Sequence, residues 1–270
     1  MSDQKSRHHY ESWIARIRNR RDSVDTHPPV ERVDEAEDRK EPMLRVLAPS
    51  DRYVVAMDDR HSVSAEQYRV LAARLEGLWR QPDFQKIAVT SALPGEGKTV
   101  TTINVGYTLA RDFGRRVLLI DGDLKRPSLW RYIGSKPSTG LSDVLANRQS
   151  PEAVVRSLGH EQLAVIEAGL TPMNSTRVWK SSAMKQLLAH FEQHYDYLIL
   201  DTPPVLTVVD TTLIADVVDG VVVVVRSGAT PKSALQKALG LLPRPKLVGT
   251  VLNGATVPRS DYYYHVRQPR

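Results

Sequence analysis

Lys86-Ile-Ala-Val-Thr-Ser-Ala-Leu-Pro-Gly-Glu-Gly-Lys-Thr99 is the stretch on which the reading of this chain turns. It opens with a short apolar run of strand type, Ile87–Thr90, and leads into a helix-like stretch, Thr99–Arg111. Between them, Ala92 to Thr99 follows the pattern of a phosphate-binding loop, with Ala92 where that pattern usually has its first glycine. The spacing has a physical reason. Glycines let backbone N–H groups curl around phosphate oxygens, and a helix N-terminus adds the positive end of its dipole. Pro94, Gly95, Glu96 and Gly97 are therefore candidate phosphate-holding backbone, and Val100 belongs to the same first helical turn. Lys98 can neutralise β- and γ-phosphates, and the Thr99 hydroxyl can ligate magnesium.

Working outward, apolar runs recur at Val117–Ile120, Leu163–Ile166, Tyr197–Leu200, Val221–Val225 and Leu247–Leu252. Helix-like stretches such as Ser182–His194 and Pro231–Leu241 separate several of them. Continuous apolar strands alternating with helices predict a doubly wound α/β domain, its mostly parallel sheet covered on both faces. The Val221–Val225 run reads as a buried central strand. Ahead of the loop, Ser64 is a candidate N-cap for a helix running through Glu66, Tyr68, Arg69, Leu71, Leu75 and Leu78, ended by Pro82.

Two further strands end in carboxylates: Ile120-Asp121-Gly-Asp123 and Leu200-Asp201-Thr-Pro-Pro204. The carboxyl ends of parallel strands face the crevice where open α/β sheets bind ligands. Asp201 fits a metal-holding role, through water. Of Asp121 and Asp123, one can support the metal's hydration shell and the other can accept a proton from an attacking hydroxyl. The residues leave the order of those two roles open. No Asn-Lys-x-Asp run, the pattern that reads guanine, is present. Asn253, after the last strand, is a candidate adenine contact or a turn residue.

Both ends of the chain read differently. Tyr10, Trp13, Ile14 and Ile17 recur at helical spacing beside Arg16, Arg18, Arg20 and Arg21, a basic amphipathic segment suited to anionic lipid, a partner or plain solvent. Asp22–Lys40 mixes both charges with few large apolar residues, as linkers do. At the other end Asp261-Tyr262-Tyr263-Tyr264 sits in a polar tail, where exposed tyrosines are candidate phosphoacceptors or a merely adhesive peptide. The organisation expected is an arm at 1–50, a nucleotide-binding domain at 51–255 and a tyrosine tail at 256–270. With no cysteine among 270 residues, disulfide frameworks and thiolate metal sites are excluded. A net charge of +6 spread along the chain does not call for a nucleic-acid partner.

From about Ser64 to the C-terminus the sequence resembles the bacterial tyrosine kinases of capsule and exopolysaccharide export, within the P-loop group that includes ParA- and MinD-type ATPases. The resemblance is carried by Pro94-Gly-Glu-Gly-Lys-Thr99, Leu118-Leu-Ile-Asp-Gly-Asp-Leu-Lys-Arg-Pro127 and Asp196-Tyr-Leu-Ile-Leu-Asp-Thr-Pro-Pro-Val205. Asp219-Gly-Val-Val-Val-Val-Val-Arg226, Gly249-Thr-Val-Leu-Asn253 and the tyrosine cluster add to it. It implies use of ATP and Mg²⁺ to phosphorylate C-terminal tyrosines across subunits of a homo-oligomeric ring. It also implies a transmembrane chain-length (co-polymerase) partner, a cognate phosphatase, and a cytoplasmic or peripheral place at the inner membrane face.

The sequence departs from the family at three points. Glu66 and Arg69 fit the ring-forming helix pattern, but Ala72 stands where its second Arg belongs, which leaves the ring open. Lys125 replaces a usual Arg, keeping charge and losing a bidentate fork. The tyrosine cluster is compact. The rival readings are an ATP-hydrolysing switch of ParA or MinD type, opposed by Leu93 where those proteins have a signature Lys, and an inactive nucleotide-sensing assembly partner.

Overall fold

The computed structural model describes residues 62–79, 84–135 and 138–255, together with Val55. The basic segment at Tyr10, Trp13, Ile14 and Ile17, the linker, Pro82, and Tyr262, Tyr263 and Tyr264 lie outside the described residues.

Seven strands form one sheet: β1 Lys86–Ser91, β2 Val117–Asp121, β3 Arg156–Ser157, β4 Leu163–Ile166, β5 Tyr197–Asp201, β6 Gly220–Arg226 and β7 Leu247–Asn253. Their spatial order is β3-β4-β2-β5-β1-β6-β7, and every pairing is parallel except β3 with β4. After β1 the chain crosses outward to β2 and β4, returns to fill the gap with β5, then continues beyond β1 to β6 and β7. That reversal brings the ends of β1, β2 and β5 together at one crevice.

Helices cover both faces. On one side lie α1 Val63–Trp79 and α2 Lys98–Asp112; among the elements on the other are α5 Ser175–Lys180, α6 Ser182–Glu192, α7 Asp210–Val217 and α8 Lys232–Leu241. Two short helices, α3 Leu129–Tyr132 and α4 Leu141–Leu145, sit in the loops beyond β2. Strand side chains alternate between the layers as the pleat requires: Val117 and Leu119 pack with α2, Leu118 and Ile120 with the opposite layer. Full burial of each such side chain contributes roughly 1.5–3 kcal/mol, and the strands β1, β2, β4 and β5 are buried almost throughout. Gly106 lets α2 approach β2, because a Cβ there would sit 2.5 Å from Leu119.

Three sequence expectations change. α1 is capped by Ser62 rather than Ser64: Ser62 Oγ accepts from the Ala65 N–H at 3.1 Å and its carbonyl from Glu66 at 3.1 Å, leaving Ser64 inside the first turn. The valine strand β6 is buried and paired on both sides, but it lies one strand from the edge rather than at the centre. β7 is an edge strand, and its apolar sequence is only partly covered, with Leu252 60% exposed. Ala72 has a plain explanation. It is fully buried within the layer that holds Leu75, Ile87 and Ile103, where an arginine would have neither room nor water. Arg69 is engaged inside the subunit, 2.5 Å from Glu66 and 3.1 Å from Asp112. No helix among the described residues is long and apolar enough to cross a membrane.

Candidate active site

The loop between β1 and α2 has the shape its sequence calls for. Gly95 and Gly97 take φ values of 80° and 96°, left-handed backbone that favours glycine. The carbonyls of Ser91 and Ala92 accept from the N–H groups of Val205 and Leu206 at 2.8 and 3.3 Å. Ser91 Oγ donates to the Leu93 carbonyl at 2.8 Å, and Thr102 Oγ1 to the Lys98 carbonyl at 3.0 Å. The first N–H groups of α2 thus open the helix directly behind this loop, where they have no partner in the preceding turn.

Lys98 and Thr99 meet the carboxylates here. Thr99 Oγ1 donates to Asp201 Oδ2 at 2.7 Å and lies 3.1 Å from Ser128 Oγ. Lys98 Nζ stands 3.6 Å from Asp201 Oδ1, an oxygen that accepts no hydrogen bond although Asp201 is fully buried. Asp121 and Asp201 are direct neighbours in the sheet, paired across β2 and β5. Asp121 Oδ2 accepts from the N–H groups of Ser128 and Leu129 at 3.2 and 3.1 Å, and Oδ1 from Asp123 at 3.2 Å. Asp123 Oδ1 accepts from the Arg126 N–H at 3.0 Å.

The electrostatics follow from this crowding. Burial, then the charge of Asp201, pushes the Asp121 carboxyl up to about 8. Burial likewise raises Asp123 and Asp201, with Lys98 working in the opposite direction on both. A fourth carboxylate, Asp210 at the start of α7, is almost fully buried; it pairs with Lys125 at 3.1 Å and accepts from Thr176 Oγ1 at 3.2 Å. Asp210 also raises Asp123. These contacts join four carboxylates to two ammonium groups, so the cluster is short of positive charge.

A divalent cation fits that deficit. The described residues contain no group of three His, Cys, Asp or Glu arranged to cage a metal ion. Magnesium does not ask for one, since it keeps several waters and takes one or two protein groups plus phosphate oxygens. Asp201 Oδ1, which accepts no hydrogen bond and has Lys98 Nζ 3.6 Å away, suits that mode of holding beside Thr99 Oγ1.

Lys98, Thr99, Asp121, Asp123 and Asp201 are therefore brought to one crevice. Two other candidates sit differently. Glu96 turns its carboxylate into the protein, accepting from the Leu93 N–H at 2.9 Å and pairing with the Thr230 hydroxyl. Asn253 Nδ2 donates to the Glu96 carbonyl at 3.0 Å, so its side chain touches the phosphate loop itself. Sequence reading missed Ser128, Asp210, Arg226 and Thr230. Ser128 directly follows Pro127, where one quoted family motif ends, and Arg226 closes another, so both were findable; nothing local marks the other two.

The AAA domain family matches residues 84–241. Tyrosine-protein kinase YwqD of Bacillus subtilis is 35% identical over 217 residues, covering 79% of this chain and 91% of that kinase. This chain belongs to the bacterial tyrosine-protein kinases. Membership makes it a transferase of the nucleotide-binding P-loop class. The kinase is also similar to succinoglycan biosynthesis transport protein ExoP of Rhizobium meliloti, 32% identical over 229 residues, spanning 83% of this chain and 28% of ExoP. Among solved structures, that of the chimerical protein CapA2B2 superposes with a TM-score of 0.72 at 28% identity, covering 80% of this kinase and 95% of the chimera.

Proposed function

We propose that this kinase uses ATP and Mg²⁺ to phosphorylate Tyr262, Tyr263 or Tyr264 of a neighbouring copy, in the production of an exported polysaccharide. One observation supports the reading above all. A phosphate loop with Lys98 and Thr99 opens onto three buried carboxylates at the ends of adjacent strands, with too few cations to balance them. The backbone at Pro94–Gly97, with Val100 in the first turn of α2, cradles the phosphates, and Lys98 stabilises charge on the transferring group. Thr99 and Asp201 would hold Mg²⁺, with Asp123 or Asp121 supporting it, and the ion would supply positive charge to the phosphate groups.

In the transfer step the tyrosine Oη attacks the γ-phosphorus while the bond from that phosphorus to the β–γ bridging oxygen breaks. ADP leaves, and the phenolic proton passes to a carboxylate. Asp123 suits that task better than Asp121, because it is less enclosed and Asp121 already accepts three backbone N–H groups. Its raised proton affinity strengthens it as a base. The partners proposed are a transmembrane chain-length protein, a second copy of the chain and a phosphatase, at the inner face of the membrane. The name of ExoP, a succinoglycan biosynthesis transport protein, supports a place in polysaccharide export.

Intact-mass analysis before and after incubation with ATP and Mg²⁺ tests the reading, beside Lys98→Met and a Tyr262/Tyr263/Tyr264→Phe triple variant. Phosphate adducts on the wild type alone are expected. ADP release without adducts would replace the kinase reading with an ATPase switch.

A further inference from the structure

Glu96 is 4% exposed, although it lies in the middle of the phosphate-loop motif. Its carboxylate closes the loop on itself through the Leu93 N–H at 2.9 Å and reaches the Thr230 hydroxyl across the crevice. Thr230 Oγ1 in turn accepts from the Arg226 N–H at 2.9 Å, at the end of β6. The Arg226 guanidinium donates to the Gly95 carbonyl at 3.0 Å, and Asn253, at the end of β7, donates to the Glu96 carbonyl at 3.0 Å. The fit against Asn253 is tight, since a Cβ on Gly97 would lie 2.0 Å from Asn253 Nδ2.

A peptide unit is planar, with its C=O and N–H pointing opposite ways. Pinning the Gly95 carbonyl outward therefore turns the Glu96 N–H inward, and pinning the Glu96 carbonyl does the same for Gly97. Those are the N–H groups that must converge on a phosphate. We propose that Glu96, Thr230 and Asn253 form a brace that presets the phosphate loop, and that Asn253 acts on phosphate binding as a positioning residue rather than by reading the base. The brace rests on the nucleotide-binding reading and adds to it. An amide hydrogen of Asn253 is already committed to the loop, and a preset loop binds without the ordering cost of a slack one.

Calorimetric titration of the full-length chain with ATP, GTP and inorganic tripolyphosphate, each with Mg²⁺, tests this, because tripolyphosphate has no base. Asn253→Ala and Thr230→Val are expected to weaken all three by a similar factor, about 10-fold. Thr230→Ser, which keeps the hydroxyl, is expected to bind like the wild type. Loss of ATP binding in Asn253→Ala with tripolyphosphate unchanged would make Asn253 a base contact and remove the brace, leaving the nucleotide reading intact. Unchanged binding in both variants, or equal loss in Thr230→Ser and Thr230→Val, would also overturn it. A wild-type chain that binds none of the three would take down the nucleotide reading and the brace together.

Discussion

The two ends of the sheet handle charge in opposite ways. At the amino ends of the strands, Asp196, Glu76, Glu192 and Asp219 each pair directly with a cation. Arg116 and Asp196 pair at 2.6 Å, both nearly buried, and the Arg116 N–H adds a bond to Asp196 at 2.9 Å. Arg115 pairs with Glu76 at 2.6 Å, and Lys86 sits between Glu192 and Asp219. Asp219 also takes the N–H groups of Gln85 and Lys86 at 2.9 and 2.7 Å. At the carboxyl ends, Asp121, Asp123, Asp201 and Asp210 share Lys98 and Lys125, and the first three are pushed toward their protonated forms. Paired charges serve the fold; the excess of acid raises the proton affinity of the carboxyls and is held at some expense in stability, as the proposed cation-binding role would require.

Removing charge from each end sharpens that contrast. The largest effect is expected from Lys98→Met, which should lower phosphate transfer on the order of 1,000-fold or more, since little but positioning and charge drives such chemistry. Its stability should fall by less than that of Asp196→Ala below, because the carboxyls left behind already have raised proton affinity and can take up a proton in place of the lost cation. A collapse of stability in thermal denaturation would place Lys98 with the structural pairs instead.

At the opposite end, Asp196→Ala leaves Arg116 buried without its carboxylate. A loss of about 3 kcal/mol or more in denaturant unfolding is expected, with transfer per folded molecule unchanged. A small loss would mean that water reaches this pair.

Asp121→Asn should act with the opposite sign on stability. The carboxyl titrates near 8 in the folded chain and near 4 when unfolded, so between those values the native state holds a proton that the unfolded state lacks. Stability of the nucleotide-free protein therefore falls as pH rises from about 5 to 8, by at most about 1.4 kcal/mol per pH unit from this group. The Asn variant should flatten that slope and gain about 1–3 kcal/mol at pH 8, while losing transfer. A drop in its stability at pH 8 would contradict the raised affinity of Asp121 for its proton.

The smallest effect belongs to Lys125→Arg. Lys125 is 45% exposed, so exchanging one cation for another should move the melting temperature by about 1–2 °C or less. A larger shift would show that the Asp210 pair is as structural as Arg116–Asp196.

Much of this molecule is legible in short stretches of sequence. The strand runs at Ile87–Thr90, Leu163–Ile166 and Tyr197–Leu200 all became buried parallel strands, because a strand covered on both faces needs apolar side chains at every position. That Lys98, Thr99, Asp121, Asp123 and Asp201 lie at one crevice could be read in advance, because each sits close to the carboxyl end of a strand, and the crevice of a doubly wound sheet lies there. The short helices α3, α4, α5 and α7 were harder, since a helix of one or two turns repeats its period too few times to stand out.

Contacts between distant segments were decided only in three dimensions. Glu96 meets Thr230 across 134 positions and Asn253 across 157, so no window of sequence holds both partners. The same is true of Lys125 with Asp210. Ala72 reads in sequence as a missing arginine, and only packing turns it into a residue that fills a core where no arginine fits. Local chemistry is written in residue type and spacing, because strand pleat, helix period and phosphate loop each span a few residues. Which loop braces which, and which carboxylates share a cation, depends on strand order, and the order β5-β1-β6-β7 brings the ends of β6 and β7 against the phosphate loop.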